Sequence, residues 1–165
     1  NNGSGGNKNR LRSKDNETTQ TKMSDEGNRS NVGTIVKFAP NLTTLDDSGK
    51  AAIDAMLPEL IGKPHRIEIR GHAIDDAVGG SQAHLDAFQI SYDRALAAWR
   101  YLVERGIEPQ RIRLSQAGSS EPLFIGMEQD ESRAARVEIF MLKELYEEPH
   151  MKEQRLISIQ NAARD

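Results

Sequence analysis

The sequence predicts an α/β (α+β) fold in which four strands and two helices follow one another in the order β-α-β-α-β-β. Short segments that are β-branched, or that alternate polar and apolar residues, occur four times, which is typical of strands. Two segments between them carry apolar residues at helical spacing. Because helices and strands alternate along the chain, we expect a two-layer sandwich, a mixed sheet with the helices on one face.

The first half of the predicted domain contains a strand, a helix and a second strand. Residues 33–38 (Gly-Thr-Ile-Val-Lys-Phe) form a short β-branched run, which predicts the first strand. The helix is expected to begin near Asp46 and Asp47, because acidic side chains interact favourably with the start of a helix. Pro58 interrupts this helix and is expected to kink or split it. Residues 65–72 alternate polar and apolar side chains, which predicts a half-buried strand.

The second half is predicted to contain a long loop, a helix and two strands. The loop covers about residues 73–88, and loops of that length are usually functional. Ser91 is the expected N-cap of the helix. The apolar stripe of this helix consists of Tyr92, Ala95, Leu96, Trp99, Leu102 and Val103. We therefore expect Trp99 to lie in the core, and the last two strands to cover residues 111–115 and 136–142.

The composition confines the predicted domain to residues 33–142. Residues 1–32 contain only three apolar residues and cannot bury enough apolar area to fold, so we predict a flexible polar linker or tail. Residues 143–165 form a highly charged C-terminal extension, with a weakly amphipathic piece around Leu156 and Ile159.

The charge and the residue content exclude several classes of protein. The net charge is -3 over 165 residues, so non-specific binding to nucleic acid is not expected. Without cysteine the chain has no disulfide scaffold, thiolate zinc site or thiol nucleophile. No run of about 18 apolar residues is present that could span a membrane. Since the chain begins with Asn1 rather than Met, we expect a fragment whose membrane anchor lies upstream of residue 1.

Six short motifs follow one another between Val32 and Leu142. They are Ile35-Val36-Lys37-Phe38, Gly71-His72, Ile90-Ser91-Tyr92-Asp93-Arg94-Ala95, Tyr101-Leu102-Val103-Glu104-Arg105-Gly106-Ile107, the turn from Gly118 to Pro122, and Arg136-Val137-Glu138-Ile139. Together they resemble the OmpA-like peptidoglycan-binding domain, which is found in OmpA, Pal and the flagellar stator protein MotB. The long predicted loop between Gly71 and Arg94 is more similar to MotB-type domains than to OmpA or Pal.

The resemblance implies a ligand and the residues that bind it. The ligand is the meso-diaminopimelate of the peptidoglycan stem peptide, which carries an ammonium and carboxylates. In the family, an aspartate after the Gly-His motif takes the ammonium, and the arginine of the second helix takes a carboxylate. By this resemblance the binding residues here are Arg94, His72, Arg136 and a loop acid, either Asp75 or Asp76.

The position of Arg94 points to a distant partner even without the family. It is expected in the first turn of its helix, where the dipole disfavours a cation, and no acid lies three or four residues away from it. Its partner is then a ligand carboxylate or a loop acid such as Asp75, Asp76 or Asp86. In either case we expect the Arg94 side chain to be exposed at the surface.

The sequence departs from the family pattern at the expected site, which leaves two hypotheses open. The family's Thr-Asp is replaced by Ala73-Ile74, so Asp75 fills the site only if the loop shifts by one residue. The family's Asn-Arg before the last strand is replaced by Ala134-Ala135. In the first hypothesis the domain binds the cell wall through Arg94 and one of the loop acids. In the second, the fold is retained as a dimerisation or scaffolding module with weak or no peptidoglycan binding.

The chain is not expected to be an enzyme. It has no nucleophile-elbow pattern and no glycine-rich phosphate loop. Two histidines and two aspartates lie near one another in the sequence, but their spacing matches no metal-binding motif. These residues are His72, Asp75, Asp76 and His84. We therefore predict neither a metal ion nor a cofactor, and expect His72 to be a structural side chain.

The resemblance also implies where the protein acts. A relative of MotB is expected in the periplasm, attached to a membrane in the full-length protein. There it anchors a membrane complex to the cell wall, by this resemblance a flagellar motor stator. MotB relatives act as dimers, so a homodimer is expected.

Overall fold

Four strands form one sheet in the computed structural model, which describes residues 27–75, 80–125, 128–129 and 131–164. The strands of this sheet are β1 (Arg29–Lys37), β2 (His65–His72), β3 (Ile112–Gly118) and β6 (Arg136–Leu145). A separate short hairpin is formed by β4 (Phe124–Ile125) and β5 (Glu128–Gln129). The helices are α1 (Asp47–Leu60), α2 (Gly80–Glu104), the four-residue α3 (Glu131–Ala134) and α4 (Pro149–Ala162). A 3₁₀ turn covers Pro109–Arg111.

The sheet is mixed, with the strand order β1-β6-β2-β3. Strand β6 pairs antiparallel with both β1 and β2, whereas β2 and β3 run parallel. Helix α1 packs on β1, and α2 packs on β2 and β3. The predicted order and the predicted two-layer architecture are confirmed, and the hairpin, α3 and α4 are additions to them.

The core lies between the sheet and the two long helices. The strand residues that face the helices alternate with residues that face away, as Ile67 and Ile69 do in β2 and Val137 and Ile139 do in β6. The helices contribute Ile53, Met56, Leu60, Ala95, Ala98, Tyr101 and Leu102. Trp99 is partly buried against this core, so the prediction for it holds in part.

Helix α1 begins with a side-chain cap. The carboxylate of Asp46 accepts a hydrogen bond from the backbone N–H of Gly49 at 2.8 Å, which satisfies one of the free amides at the helix start. Pro58 lies inside α1, and the helix continues to Leu60, so the predicted split is wrong. Because Pro58 stands in the last turn, its missing N–H removes a hydrogen bond only near the helix end.

The predicted loop at residues 73–88 is wrong in its second half, where the structure has a helix, because α2 begins at Gly80. Ser91 is therefore not a cap. It is buried in the middle of the helix, where its hydroxyl donates to the carbonyl of Phe88 at 2.8 Å. The buried face of this part of α2 contains Ala87, Ser91 and Arg94, which are small or polar, so the hydrophobic pattern did not indicate a helix there.

Helix α2 crosses β2 at Gly71 without room for a side chain. A Cβ atom on Gly71 would overlap the carbonyl oxygen of Ser91. The absence of that atom lets α2 lie directly on the end of β2. As a result, the residue one turn further along the helix, Arg94, reaches the last residue of that strand.

The sheet extends into both segments that flank the predicted domain. Strand β1 begins at Arg29 and β6 ends at Leu145. The charged C-terminal extension contains α4, and no residue of this helix is buried. Among the described helices, none has the length and hydropathy that a membrane span needs. The linker assigned to the first residues stays a prediction, because residues 1–26 lie outside the described part of the chain.

Candidate ligand-binding site

The candidate residues gather where the parallel strands β2 and β3 end. His72, the last residue of β2, pairs with Gly118, the last residue of β3. One residue further, the N–H of Ala73 donates to the carbonyl of Gly118 at 2.9 Å. Ligands commonly bind at the carboxyl ends of parallel strands, because several loops converge there.

Arg94 is buried, with 2% of its surface exposed. Its Nε donates to the carbonyl of Leu42 at 2.9 Å, and its two terminal nitrogens donate to the carbonyls of His72 at 3.0 Å and Ala39 at 3.4 Å. Burial lowers the pKa of Arg94 from its ordinary value. The expectation that Arg94 is exposed is wrong, because α2 begins at Gly80 and Arg94 faces the sheet from the middle of the helix.

Two of the carbonyls that bind Arg94 belong to one tight turn. The N–H of Leu42 donates to the carbonyl of Ala39 at 3.1 Å, which closes a four-residue turn. Pro40 is its second residue, and Asn41 has a φ of 61° at the third, as a type II turn requires. Arg94 therefore fastens the turn between β1 and α1 to the end of β2. Three of its five N–H donors are used in this way, and the other two have no acceptor within the described part of the chain.

Asp75 forms a small cluster with His84 and Ser119. Its Oδ2 lies 2.7 Å from Nδ1 of His84 and accepts a hydrogen bond from the Ser119 hydroxyl at 3.3 Å. The Asp75 side chain is 19% exposed and that of His84 is 62% exposed. The other carboxylate oxygen, Oδ1, is buried and has no hydrogen-bond partner within the described residues. This cluster lies at the same end of the strands as Arg94.

Two of the three acids expected as partners of Arg94 are described, and both have other contacts. Asp75 pairs with His84, and Asp86 is exposed on α2, where it accepts a hydrogen bond from Gln82 at 2.9 Å. Asp76, the alternative loop acid, lies outside the described residues. Arg94 itself bonds to backbone carbonyls in all three of its hydrogen bonds to described residues.

The ring of His72 and the side chain of Arg136 lie on the other face of the sheet. Nε2 of His72 is 3.5 Å from Oε2 of Glu138, and its Nδ1 is 3.9 Å from Oε2 of Glu121. Arg136 donates to Oε1 of Glu138 at 3.0 Å and to the carbonyls of Ala134 and Glu121, each at 3.1 Å. His72 thus contacts Arg94 directly through its backbone carbonyl. Its ring and the side chain of Arg136 instead contact the same two residues, Glu121 and Glu138.

A buried charge network continues along this face and was not expected from the sequence. Arg70 contacts Glu68 at 2.6 Å and Glu121 at 2.9 Å, while Arg29 lies 3.6 Å from Glu138. Glu68 and Glu138 are 5% and 1% exposed. The alternation in β2 and β6 places these residues on one face. A half-buried strand is expected to expose that face to solvent, whereas here it is buried.

The electrostatics of the network keep its histidine neutral and its glutamate ionised. Burial lowers the pKa of His72, and the nearby Arg136 cation lowers it further. Glu138 acts in the opposite direction, but the two lowering effects outweigh it, so the pKa lies below its ordinary value. Burial by itself would raise the pKa of Glu138, but its contacts with His72 and Arg136 outweigh burial and lower it to about 2.

His72, Glu121 and Glu138 could together hold a metal ion by distance alone, since one ligand atom from each lies within 4.8 Å of the others. Both glutamates, however, already pair with arginines: Glu121 with Arg70, and Glu138 with Arg136. A bound cation would stand beside these guanidinium groups, which repel it. Among the described residues this group is therefore better explained as part of the ionic network.

A groove of about 510 Å³ lies between the segment before α1 and the flank of α2. Thr43, which lines it, directly follows Leu42, whose carbonyl binds Arg94. Charged residues of both signs line the groove, and they are Lys50, Asp93, Arg100 and Glu104. The groove therefore offers mixed charge, and Arg94 itself is not among the residues that line it.

Comparison with known proteins gives one family and a set of similar structures. The model of the OmpA family matches residues 37–136. The OmpA-like domain of FopA1 from Francisella tularensis is 24% identical, with a TM-score of 0.58 over 70% of this chain and 75% of that one. The peptidoglycan-associated lipoprotein of Burkholderia pseudomallei is 20% identical, with a TM-score of 0.53 over 66% of this chain and 89% of that one.

A third similar structure is a protein from Desulfovibrio vulgaris described as MotB-like. It is 26% identical, with a TM-score of 0.51 over 82% of this chain and 94% of that one. No curated protein matches the chain.

Proposed function

Because the family model spans more than half of the chain, the protein belongs to the OmpA family, and on this premise we propose that it binds the peptidoglycan stem peptide without forming a covalent bond. One similar structure is a protein named peptidoglycan-associated lipoprotein, which supports this proposal. The observation that carries it is a carboxylate, Asp75, and a guanidinium, Arg94, at the same end of β2. These groups suit the ammonium and a carboxylate of meso-diaminopimelate.

Asp75 is the acid that suits the ammonium. Ile74 stands where the family has its aspartate, and a hydrocarbon side chain cannot bind an ammonium. Asp75 follows directly, and its side chain is partly exposed. Its buried Oδ1 lacks a donor within the described residues, so a ligand N–H would satisfy an acceptor that is otherwise left without a hydrogen bond.

Arg94 is the cation that suits the carboxylate. The turn that contains Ala39 and Leu42 holds the guanidinium in a fixed orientation, so little side-chain entropy is lost when a ligand binds. Its other two N–H donors have no acceptor among the described residues, and we propose that they bind the carboxylate. The groove of about 510 Å³ that Thr43 lines has room for further residues of the stem peptide.

The proposal extends to where the protein acts. Since its ligand is part of the cell wall, the domain is proposed to lie in the periplasm and to hold a membrane complex to the wall. The likeness to a protein described as MotB-like supports a flagellar motor stator as that complex. We further propose, from the resemblance to MotB in sequence, that the domain acts as a homodimer. No enzymatic activity, cofactor or nucleic-acid partner forms part of this proposal.

Co-sedimentation with purified peptidoglycan at low salt tests the proposal. We expect the wild-type chain to pellet, and Asp75→Asn to bind at least about tenfold more weakly, because the amide has no charge for the ammonium. Asp86→Asn is the matched control, since Asp86 is an exposed acid on α2 that contacts Gln82. A wild-type chain that stays in the supernatant contradicts the proposal, and equal pelleting by Asp75→Asn contradicts the site.

A second candidate function is a scaffold that has kept the fold and lost the ligand. It is favoured by the internal bonds of both binding residues, because Arg94 is held by three carbonyls and Asp75 by His84. In that case analytical ultracentrifugation finds a dimer, while the wild-type chain does not pellet with peptidoglycan. A monomer that pellets contradicts this alternative.

A further inference from the structure

His84 reaches from near the start of α2 back to the segment that follows β2. Its Nδ1 lies 2.7 Å from Oδ2 of Asp75, a distance typical of a charge-assisted hydrogen bond. The hydroxyl of Ser119 lies 3.5 Å from the same ring nitrogen. Because 62% of the His84 side chain is exposed, the ring can turn into water without opening the core.

The hydrogen bonding of Asp75 is incomplete in this arrangement. The ring of His84 offers one N–H at Nδ1, which reaches Oδ2. The second oxygen, Oδ1, is buried and accepts no hydrogen bond within the described residues. A primary ammonium carries three N–H donors, so an ammonium bound to Oδ2 in place of the ring has donors left for the second oxygen, whereas Nδ1 of the imidazole has only one N–H.

We propose that His84 is an intramolecular competitor at Asp75, which occupies the ammonium position and is displaced when the ligand binds. This inference rests on the proposed function and adds a selectivity to it. A ligand with a primary ammonium replaces the His84 N–H and also supplies the donor that Oδ1 lacks. A ligand whose amine is acylated has lost that charge and does not displace the ring.

The competition by His84 lowers ligand affinity only a little, because the pair of His84 and Asp75 is partly exposed. Exposed ion pairs contribute little to stability, so removing His84 raises ligand affinity by about two- to fivefold. Ser119 donates to Oδ2 of Asp75 at 3.3 Å independently of the ring, so the carboxylate keeps one contact of its own after His84 leaves.

A double-mutant cycle tests the proposal on the full chain. The probe is a soluble stem tetrapeptide that contains meso-diaminopimelate, and its affinity is measured by isothermal titration calorimetry. We expect His84→Ala to bind it about two- to fivefold more tightly than wild type. The same change in an Asp75→Asn background is expected to have no effect, since the two residues act as a pair. His150→Ala, on the exposed helix α4, is the matched control and should bind like wild type.

The outcomes separate this proposal from the function on which it rests. Equal binding by wild type and His84→Ala overturns the competitor role and leaves the proposed function intact. Weaker binding by His84→Ala also overturns it, because His84 would then be a ligand contact. An N-acylated tetrapeptide that binds wild type as tightly as the free amine overturns the selectivity.

If no variant binds the tetrapeptide, the proposed function has failed, and a simpler cation tests the pair itself. The NMR signals of the His84 ring are followed as ethylammonium is added, with sodium chloride at equal ionic strength as the control. We expect ethylammonium to shift these signals in wild type and not in Asp75→Asn. Signals that respond equally to both salts overturn the proposal.

Discussion

Arg94 is held by the backbone of its own protein. Its three hydrogen bonds join the turn before α1 to the end of β2, and they span 52, 22 and 55 residues of sequence. Burying a guanidinium is costly unless its donors find acceptors, and here carbonyl oxygens satisfy three of the five without a second buried charge. In this structure Arg94 therefore stabilises the fold and is also a candidate ligand-binding residue.

The first prediction concerns that structural contribution. Replacing Arg94 by Ala leaves three carbonyls without their donor and creates a cavity, so we expect Arg94→Ala to lower the free energy of unfolding by about 2–5 kcal/mol. Urea denaturation followed by circular dichroism measures the change. Arg100→Ala is the matched control, because Arg100 is an exposed arginine on the same helix. A loss of unfolding free energy no larger than that of the control would show that the three hydrogen bonds of Arg94 contribute nothing to stability.

This result also bears on the binding experiment. A loss of binding by an Arg94 variant could arise from misfolding, whereas Asp75→Asn changes a partly exposed side chain and keeps its shape. Asp75 is for this reason the sharper test of the site.

At the level of the strands, β2 and β6 carry two different faces. One face is apolar and packs on α1 and α2, and the other carries alternating charges. The charged face is buried as well, with His72 and Glu138 each 1% exposed. Buried ionic groups are costly unless each is paired, so the network must form as a unit.

The second prediction is that acid destabilises the fold through this network. The pKa of His72 lies below its ordinary value of 6.5, so the unfolded chain binds that proton more readily, and stability falls as the pH drops below about 6.5. The pKa of Glu138 is lowered from 4.5 to about 2, so its contribution is present above pH 4.5 and is lost as the pH falls toward 2.

Urea denaturation at a series of pH values measures how the free energy of unfolding changes in both pH ranges, below about 6.5 and from 4.5 toward 2. We expect His72→Gln to flatten the dependence just below pH 6.5, and to weaken the dependence between pH 4.5 and 2 without abolishing it, because Arg136 still contacts Glu138. His150→Gln, on the exposed helix α4, should keep the wild-type profile. An unchanged slope in His72→Gln would mean that another group titrates there.

At the scale of the whole molecule, the described chain divides into a packed domain and a helix that packs on nothing described. No residue of α4 is buried, and four of its apolar side chains are about half exposed. These side chains are Met151, Leu156, Ile157 and Ile159. A helix of 14 residues is marginal in water by itself, so α4 draws little stability from the domain and gives little to it.

The third prediction follows from this division. Deleting residues 149–165 is expected to change the free energy of unfolding by less than about 0.5 kcal/mol, because no buried contact is lost. Thermal denaturation of the full and shortened chains measures the difference. A clear drop in the midpoint would mean that α4 packs on a part of the protein in solution, and repeating the measurement at several protein concentrations would tell an internal contact from an oligomer.

The order of the elements and much of the core followed from the sequence, because both depend on local patterns. The alternation in residues 65–72 and 136–142 indicated the strands β2 and β6, and the stripe around Leu102 indicated the second half of α2. The first half of α2 was missed where its buried face carries Ser91 and Arg94, since polar residues break the hydrophobic period.

The sequence by itself determined the order of the elements and, by resemblance, the family, and it narrowed the candidate site to Arg94 with Asp75 or Asp76. Only the tertiary structure decided what these groups contact. Arg94 meets carbonyls from distant segments, Asp75 meets His84 on a turn of helix where a loop was expected, and the polar face of β2 is buried against charges from β6. The physical reason is that local periodicity fixes which residues form an element, whereas the burial and partner of a charge depend on segments far apart in the chain that pack together only in the folded protein.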